Sequence, residues 1–256
     1  MKRIVAFLTL LFLLLFETAL GTREPFEQMY ELLNRGYYNS AVHINGPALV
    51  QTFPNDAEAH YLFAYALYFA NHPLRSREEL NRAIQLQQDF DPRFDHLNGL
   101  IAATEGNIEL ALTMLQAASE GAEDYHYAMD WGIIAWSSGY YETALEAYEY
   151  ASLTQSGHKE PWPELNRGRI LSYLGRPVEA IEAFHASIIL FERNNLGDSR
   201  PLLAYIEAYF RLGLIHEILG NFDEAISYYW SAHSSDPTYG PALEAIDRLS
   251  LKQTQP

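Results

Sequence analysis

The sequence predicts an all-α protein: a right-handed α-solenoid of about six helix hairpins followed by a C-terminal capping helix. Two observations carry that prediction. Turn residues Gly36, Asn71, Gly106, Gly139, Gly175 and Gly220 recur at intervals of about 33 to 36 residues, with a longer interval of about 45 before the last. About five residues after each turn a small residue opens a second helical run: Ala41, Ser76, Ala111, Ala144, Ala180 and Ala225. One turn pair further along stand Ala48, Ala83, Ala118, Ala151, Ser187 and Ala232.

Close approach explains the pattern. Two antiparallel helices pack tightly only where side chains are small, and large neighbours fill the grooves between them. The turn residue supplies a left-handed cap to the first helix of each pair. A single pair cannot bury both of its apolar faces, so units must stack. The expected units are 22–55, 57–90, 92–123, 125–158, 161–194 and 206–239. Pro241 to Leu251 reads as the capping helix, with Leu243, Ile246, Leu249 and Leu251 on its apolar side, and residues 253–256 form a tail.

The sixth unit is the clearest: Leu212-Gly213, then Gly220-Asn221-Phe222-Asp223-Glu224-Ala225-Ile226, then Tyr229, Ala232 and Pro237. This resembles the tetratricopeptide repeat (TPR). In that family small residues occupy repeat positions 8, 20 and 27. Position 8 falls on Ala64, Gly99, Gly132, Gly168 and Gly213 in the second to sixth units. The resemblance covers roughly residues 22 to 252 and implies an interaction module without catalytic chemistry.

Two regions depart from the pattern. In the first unit position 8 falls on Met29, and Asn45-Gly46-Pro47 interrupts the second helix, because proline lacks an N–H and clashes one turn back. A kinked or broken helix is expected there, in keeping with a degenerate terminal repeat. Between the fifth and sixth units Asn194 to Pro201 is inserted, which should lengthen the flanking helices.

Residues 1–21 are read as an export signal. Lys2 and Arg3 precede a run from Ile4 to Phe16 that is apolar except at Thr9, and Ala19-Leu20-Gly21 offers a small-residue cleavage site. An uncleaved membrane anchor and a buried helix are the alternatives. The run is short for a bilayer span of roughly 20 residues. Membrane contact is expected only through this segment, if it stays uncleaved. The chain has no cysteine and no Asn-x-Ser/Thr site, which suits a bacterial periplasm or cell envelope better than a eukaryotic secretory route.

The formal charge of −16 disfavours a phosphate backbone as partner, so no nucleic-acid binding is expected. Without cysteine there is no thiol nucleophile or Cys-based zinc site. The nine histidines form no metal pattern: His216-Glu217 begins a zinc-protease motif, but Gly220 stands where its second histidine belongs. Acidic pairs such as Glu78-Glu79 and Glu142/Glu146 read as solvated helix faces. No nucleophile, base and oxyanion donor assemble. No catalytic residue, metal or cofactor is expected.

The resemblance places a concave binding face on the first helices of the units, at repeat positions 2, 5, 9, 12 and 13. Transferred to this chain, those slots give Tyr61, Tyr65, Tyr68 and Phe69; Arg93 and His96; His126, Met129, Ile133 and Trp136; Trp162, Arg169 and Tyr173; and Glu207 and Phe210. From these, the expected partner-binding groove is Tyr61, Tyr65, Tyr68, His96, His126, Met129, Trp136, Trp162, Arg169 and Tyr173. The basic and amide clamp by which one TPR subtype grips a C-terminal carboxylate is absent. Tyr, Trp and Arg are enriched among interface hot spots, but rings at helical spacing also pack as core. The expected function is a non-catalytic scaffold for a protein or peptide partner. The alternative is an adaptor or regulatory subunit of an envelope protease or peptidoglycan hydrolase.

Overall fold

The computed structural model describes residues 24–87, 89–194 and 199–253. The leader at 1–21 and the centre of the insertion, 195–198, lie outside the described residues. Among the described residues every regular element is helical. Helix α1 covers 24–34. Then α2 (Tyr38–Ser40) runs through a π turn (Ala41–Asn45) into α3 (Gly46–Thr52). After these come α4 (Ala57–Phe69), α5 (Pro73–Leu86), α6 (Pro92–Thr104), α7 (Ile108–Ala122), α8 (Tyr125–Ser137) and α9 (Tyr141–Leu153). The chain ends with α10 (Trp162–Tyr173), α11 (Pro177–Asn194), α12 (Ser199–Ile218), α13 (Phe222–Ser235) and α14 (Gly240–Gln253). Two compact units divide at Met114/Leu115, inside α7.

The hairpin turns share one hydrogen-bond pattern. At Gly220, φ is 81°. Its N–H donates to the Glu217 carbonyl at 3.1 Å, and the Asn221 N–H reaches back to His216 at 2.8 Å. Both bonds satisfy carbonyls that the helix end leaves orphaned. The same pair recurs at the other turns, including Asn71, which holds φ 65° without being glycine. Asparagine tolerates this left-handed conformation better than most residues. Several first helices are fixed at their other end by an aspartate cap. Asp56 accepts from the Ala59 N–H at 3.0 Å, and Asp124 accepts from the N–H groups of His126 and Tyr127.

Within the hairpins the small slots are where helices touch. A Cβ built on Gly132 would lie 2.6 Å from the Tyr148 ring, and one on Gly213 only 2.5 Å from the Tyr229 ring. So the α8–α9 and α12–α13 pairs each press an aromatic face onto bare backbone. Ala144, Ala180, Ala225, Ala151 and Ala232 are fully buried. Where serine takes a small slot its hydroxyl is satisfied: Ser76 donates to the Ala64 carbonyl at 2.7 Å, and Ser187 to that of Pro161 at 2.9 Å.

The first hairpin carries an irregularity of the expected kind, at a π turn. Its second helix does not break at Pro47. A π turn precedes the proline, and the Gly46 N–H bonds to the Ala41 carbonyl five residues back. The wider turn makes room for a ring that cannot donate. It also adds a residue to the helix, so the inward position moves from Ala48, which is exposed, to Leu49, which is 1% exposed. Gly46 is a contact residue rather than a breaker: a Cβ there would fall 2.2 Å from the Phe63 ring of α4. Met29, standing where a small residue is usual, is fully buried.

Two further features frame the second unit. Helices α11 and α12 reach 18 and 20 residues, against 13 for α8 and α9, so the insertion lengthens both flanking helices. On α14 the apolar side is Ala242, Ala245, Ile246 and Leu249. Leu243 and Leu251, expected on that side, are exposed. They fall one position off an i, i+3, i+4, i+7 stripe.

Candidate protein-binding site

In the first unit α2, α4 and α6 bring rings together. Tyr61 stacks on Phe94 at 5.0 Å, Tyr65 lies 4.6 Å from Phe69, and Tyr38 stacks on Phe69 at 5.1 Å. Tyr65 and Tyr68 are half-buried, and Phe69 is exposed. Tyr61 and His96, both expected in the groove, are only 6% and 7% exposed. Tyr61 is covered by Phe94 and by the Arg93 guanidinium, 5.0 Å from its centroid.

Arg93 is the polar hub of this unit. Its Nη1 and Nη2 donate to Glu58 at 2.9 and 2.8 Å, and its Nε and Nη2 donate to Asp91 at 3.1 and 2.7 Å. The Asp91 hydrogen bonds, followed by those to Glu58, raise the guanidinium further above its usual range. Burial acts to raise the Asp91 carboxyl, but the bonds from Arg93 outweigh it and hold that group below its ordinary value. Tyr30 donates to Glu58. Beside the hub lies a cavity of 170 Å³ lined by Tyr30, Leu33, Asn34, Tyr61, Leu62, Tyr65 and Arg93. Tyr30, Leu33 and Asn34 were not among the expected site residues. Counting from Met29 as position 8 puts them at positions 9, 12 and 13, so the signal was present but masked by the irregularity of that unit.

In the second unit the expected residues separate into groups. Arg169 lies over the Trp136 ring at 5.6 Å and approaches Glu207 at 3.5 Å, which also pairs with Arg211 at 3.1 Å. Tyr141 sits 6.5 Å from Trp136 and 4.9 Å from Tyr173, which is 66% exposed. Trp136, Arg169 and Tyr173 therefore join one surface group with Tyr141, which sequence counting had not assigned. Met129 packs on Tyr125, Ala128 and Ala151. His126 is exposed with its ring edge-on to Tyr125 at 5.0 Å. Trp162 packs with Leu165 and its neighbours. These three are not brought to the Trp136 group.

One titratable cluster lies elsewhere in this unit. His185 faces the Tyr228 hydroxyl at 3.4 Å, and the His216 ring lies 5.1 Å from that of Tyr228. Burial, and then the charge of His216, push the His185 imidazole below its ordinary value. Among the described residues no group of three or more His, Cys, Asp or Glu side chains is placed to hold a metal ion. No described helix is long and apolar enough to cross a membrane.

The tetratricopeptide repeat family model matches residues 206–239. No curated protein matches the chain. Among solved structures, PilF of Pseudomonas aeruginosa is similar with a TM-score of 0.61 and 18% identity, over 87% of this chain and 95% of that one. YrrB, described as a TPR protein with an unusual peptide-binding site, has a TM-score of 0.59 and 18% identity over 78% and 96%. MamA from Desulfovibrio magneticus has a TM-score of 0.56 and 14% identity over 72% and 96%. At such identities the likeness is one of fold. The chain thus has the helix-hairpin fold of TPR solenoids, and its segment 206–239 matches the tetratricopeptide repeat itself.

Proposed function

We propose that this chain is a non-catalytic protein-interaction scaffold of the bacterial cell envelope, holding a protein or peptide partner against aromatic side chains on the first helices of its hairpins. The observation that carries this reading is the set of rings left partly open on α4, α8 and α10: Tyr65, Tyr68 and Phe69 in one unit, Trp136 and Tyr173 in the other. Large rings that a fold does not fully bury are suited to burial against a partner. The TPR-type fold supports the reading, as does the peptide-binding site described for YrrB. The envelope assignment rests on the signal-like order of residues 1–21.

The decisive experiment captures proteins from an envelope extract on the wild-type chain and on the Tyr65→Ala, Trp136→Ala variant. Loss of the same partner from the variant, with its helical melt unchanged, supports the reading. Undiminished capture overturns it, and collapse of the melt assigns these rings to the core. Copurification of a single enzyme whose turnover changes on adding the chain would make it an adaptor instead. Alkaline phosphatase fused after residue 30 tests location: phosphatase activity requires export, and its absence removes the envelope assignment.

A further inference from the structure

The cavity between α1, α4 and α6 is walled by three tyrosine rings and has no carboxylate in its lining. The clefts at Glu142–Glu179, Glu164–Glu182 and Asp89–Asp95 carry several carboxylates each, the last beside the rings of Phe90 and Phe94. The tyrosine-walled cavity presents Tyr30, Tyr61 and Tyr65 with Leu33 and Leu62 around an open-mouthed space of 170 Å³. A cavity of about 150 Å³ with apolar walls accommodates one benzene molecule, so this volume suits a single six-membered ring. Tyrosine walls favour such a ring through edge-to-face contact.

Charge narrows the occupant further. Among the described residues that line the cavity Arg93 is the one cation, and its donors already serve Glu58 and Asp91. Two carboxylates against one guanidinium leave the hub net negative, with no spare cation for an acidic ligand. Glu27, one turn before Tyr30, is exposed and pairs with no cation among the described residues. The whole chain carries −16, which repels acidic segments and a second copy of itself. At the rim, the exposed Asn34 carboxamide has no hydrogen-bond partner among the described residues and is able both to donate to and accept from a backbone amide.

We propose that this cavity seats one aromatic side chain of a partner segment with net positive charge, while Asn34 holds the backbone beside that ring. The proposal rests on the scaffold reading and adds to it the chemistry of the bound segment. Phenylalanine or tyrosine fills the volume. Lysine or arginine on either side meets the acidic surface around α1 and the hub.

Synthetic peptides test it by calorimetry on the purified chain. The probe is Lys-Lys-Ala-Phe-Ala-Lys-Lys, blocked at both ends, compared with versions carrying Ala in place of Phe or Glu in place of every Lys. The Phe peptide is expected to bind, with affinity falling about tenfold or more for either replacement, a change of about 1.4 kcal/mol. Asn34→Trp, which plugs the mouth from an exposed position, is expected to cause a similar loss at an unchanged melting temperature. Tyr65→Leu, which keeps an apolar wall but removes the ring, serves as the second variant and should weaken binding less. Equal affinity for the Phe and Ala peptides, no binding at millimolar peptide, or indifference to Asn34→Trp each overturn the proposal. Capture of an envelope partner that depends on Trp136 and Tyr173 is a separate readout in the other unit. It would keep the scaffold reading alive after such a failure.

Discussion

The first hairpin and the α12–α13 hairpin solve the same packing problem at different places. In α12–α13 the bare backbone of Gly213 receives the Tyr229 ring, so the close approach lies inside the hairpin. Tyr229 then donates to Glu217, which Arg248 of α14 also grips. In the first hairpin the equivalent slot holds the buried Met29, and the close approach moves outward to Gly46 of α3 against Phe63 of α4. One hairpin is closed upon itself, and the other is completed by its neighbour. A repeat position thus specifies a need for close packing without specifying which two helices meet it.

Substitutions can break this comparison. The largest effect is expected at Leu49, which the π turn rotates inward. Leu49→Ala should cost about 2–5 kcal/mol, while Ala48→Ser should change stability by less than about 0.5 kcal/mol. Urea unfolding of both variants checks this, and the opposite order would remove the register shift. Next come Gly46→Ala and Gly213→Ala, each expected to cost about 1–3 kcal/mol by overpacking. Rescue separates the two hairpins. Phe63→Leu should recover part of the loss at Gly46, and Tyr229→Leu part of the loss at Gly213. Crossed pairs should simply add, as distant sites do. Rescue of Gly46→Ala by a change within its own hairpin would erase the distinction.

A smaller effect concerns the turns. Gly220→Ala should lose about 1 kcal/mol because φ is 81° there, whereas Asn71→Gly should be neutral or slightly stabilising. Hydrogen exchange at the two turns reads this locally, as suits a stack of repeats. The smallest effect is a pH slope confined to α11–α13. His185 is held below its ordinary value, so the unfolded chain binds its proton more readily than the folded one. The stability contributed by neutral His185 is present above pH 6.5 and is lost as pH falls toward the folded value. Melts between pH 7.5 and 5 should show a decline that His185→Gln flattens. A slope unaltered by that substitution would place its source elsewhere.

Much of the fold is legible in the sequence because its determinants are local. Gly132 and Gly213 announce contacts whose partners, Tyr148 and Tyr229, lie within the same hairpin, and the turn residues need only their own helix ends. The π turn at Ala41–Asn45 is not legible. A count of residues assumes a constant pitch, so Ala48 is assigned the slot that Leu49 fills, and Gly46 reads as a breaker although it is a contact. The binding face is only partly legible for a related reason. Repeat position places Tyr61, His96, Tyr65 and Trp136 on first helices, but what covers each ring depends on neighbours such as Phe94 and Arg93. The same arithmetic reaches Tyr30 and Asn34, and only the irregular look of their unit hid them.

The dependence of Gly46 on Phe63 bears on how such an array is able to grow. A hairpin whose tight contact is internal travels as a cassette: copied or excised, it carries its own fit. The first hairpin is keyed to the next one, and its duplicate would need a second ring at the matching site. Lengthening by duplication is therefore easier beyond residue 63 than before it, and the N-terminal unit is the one whose neighbour cannot be exchanged freely.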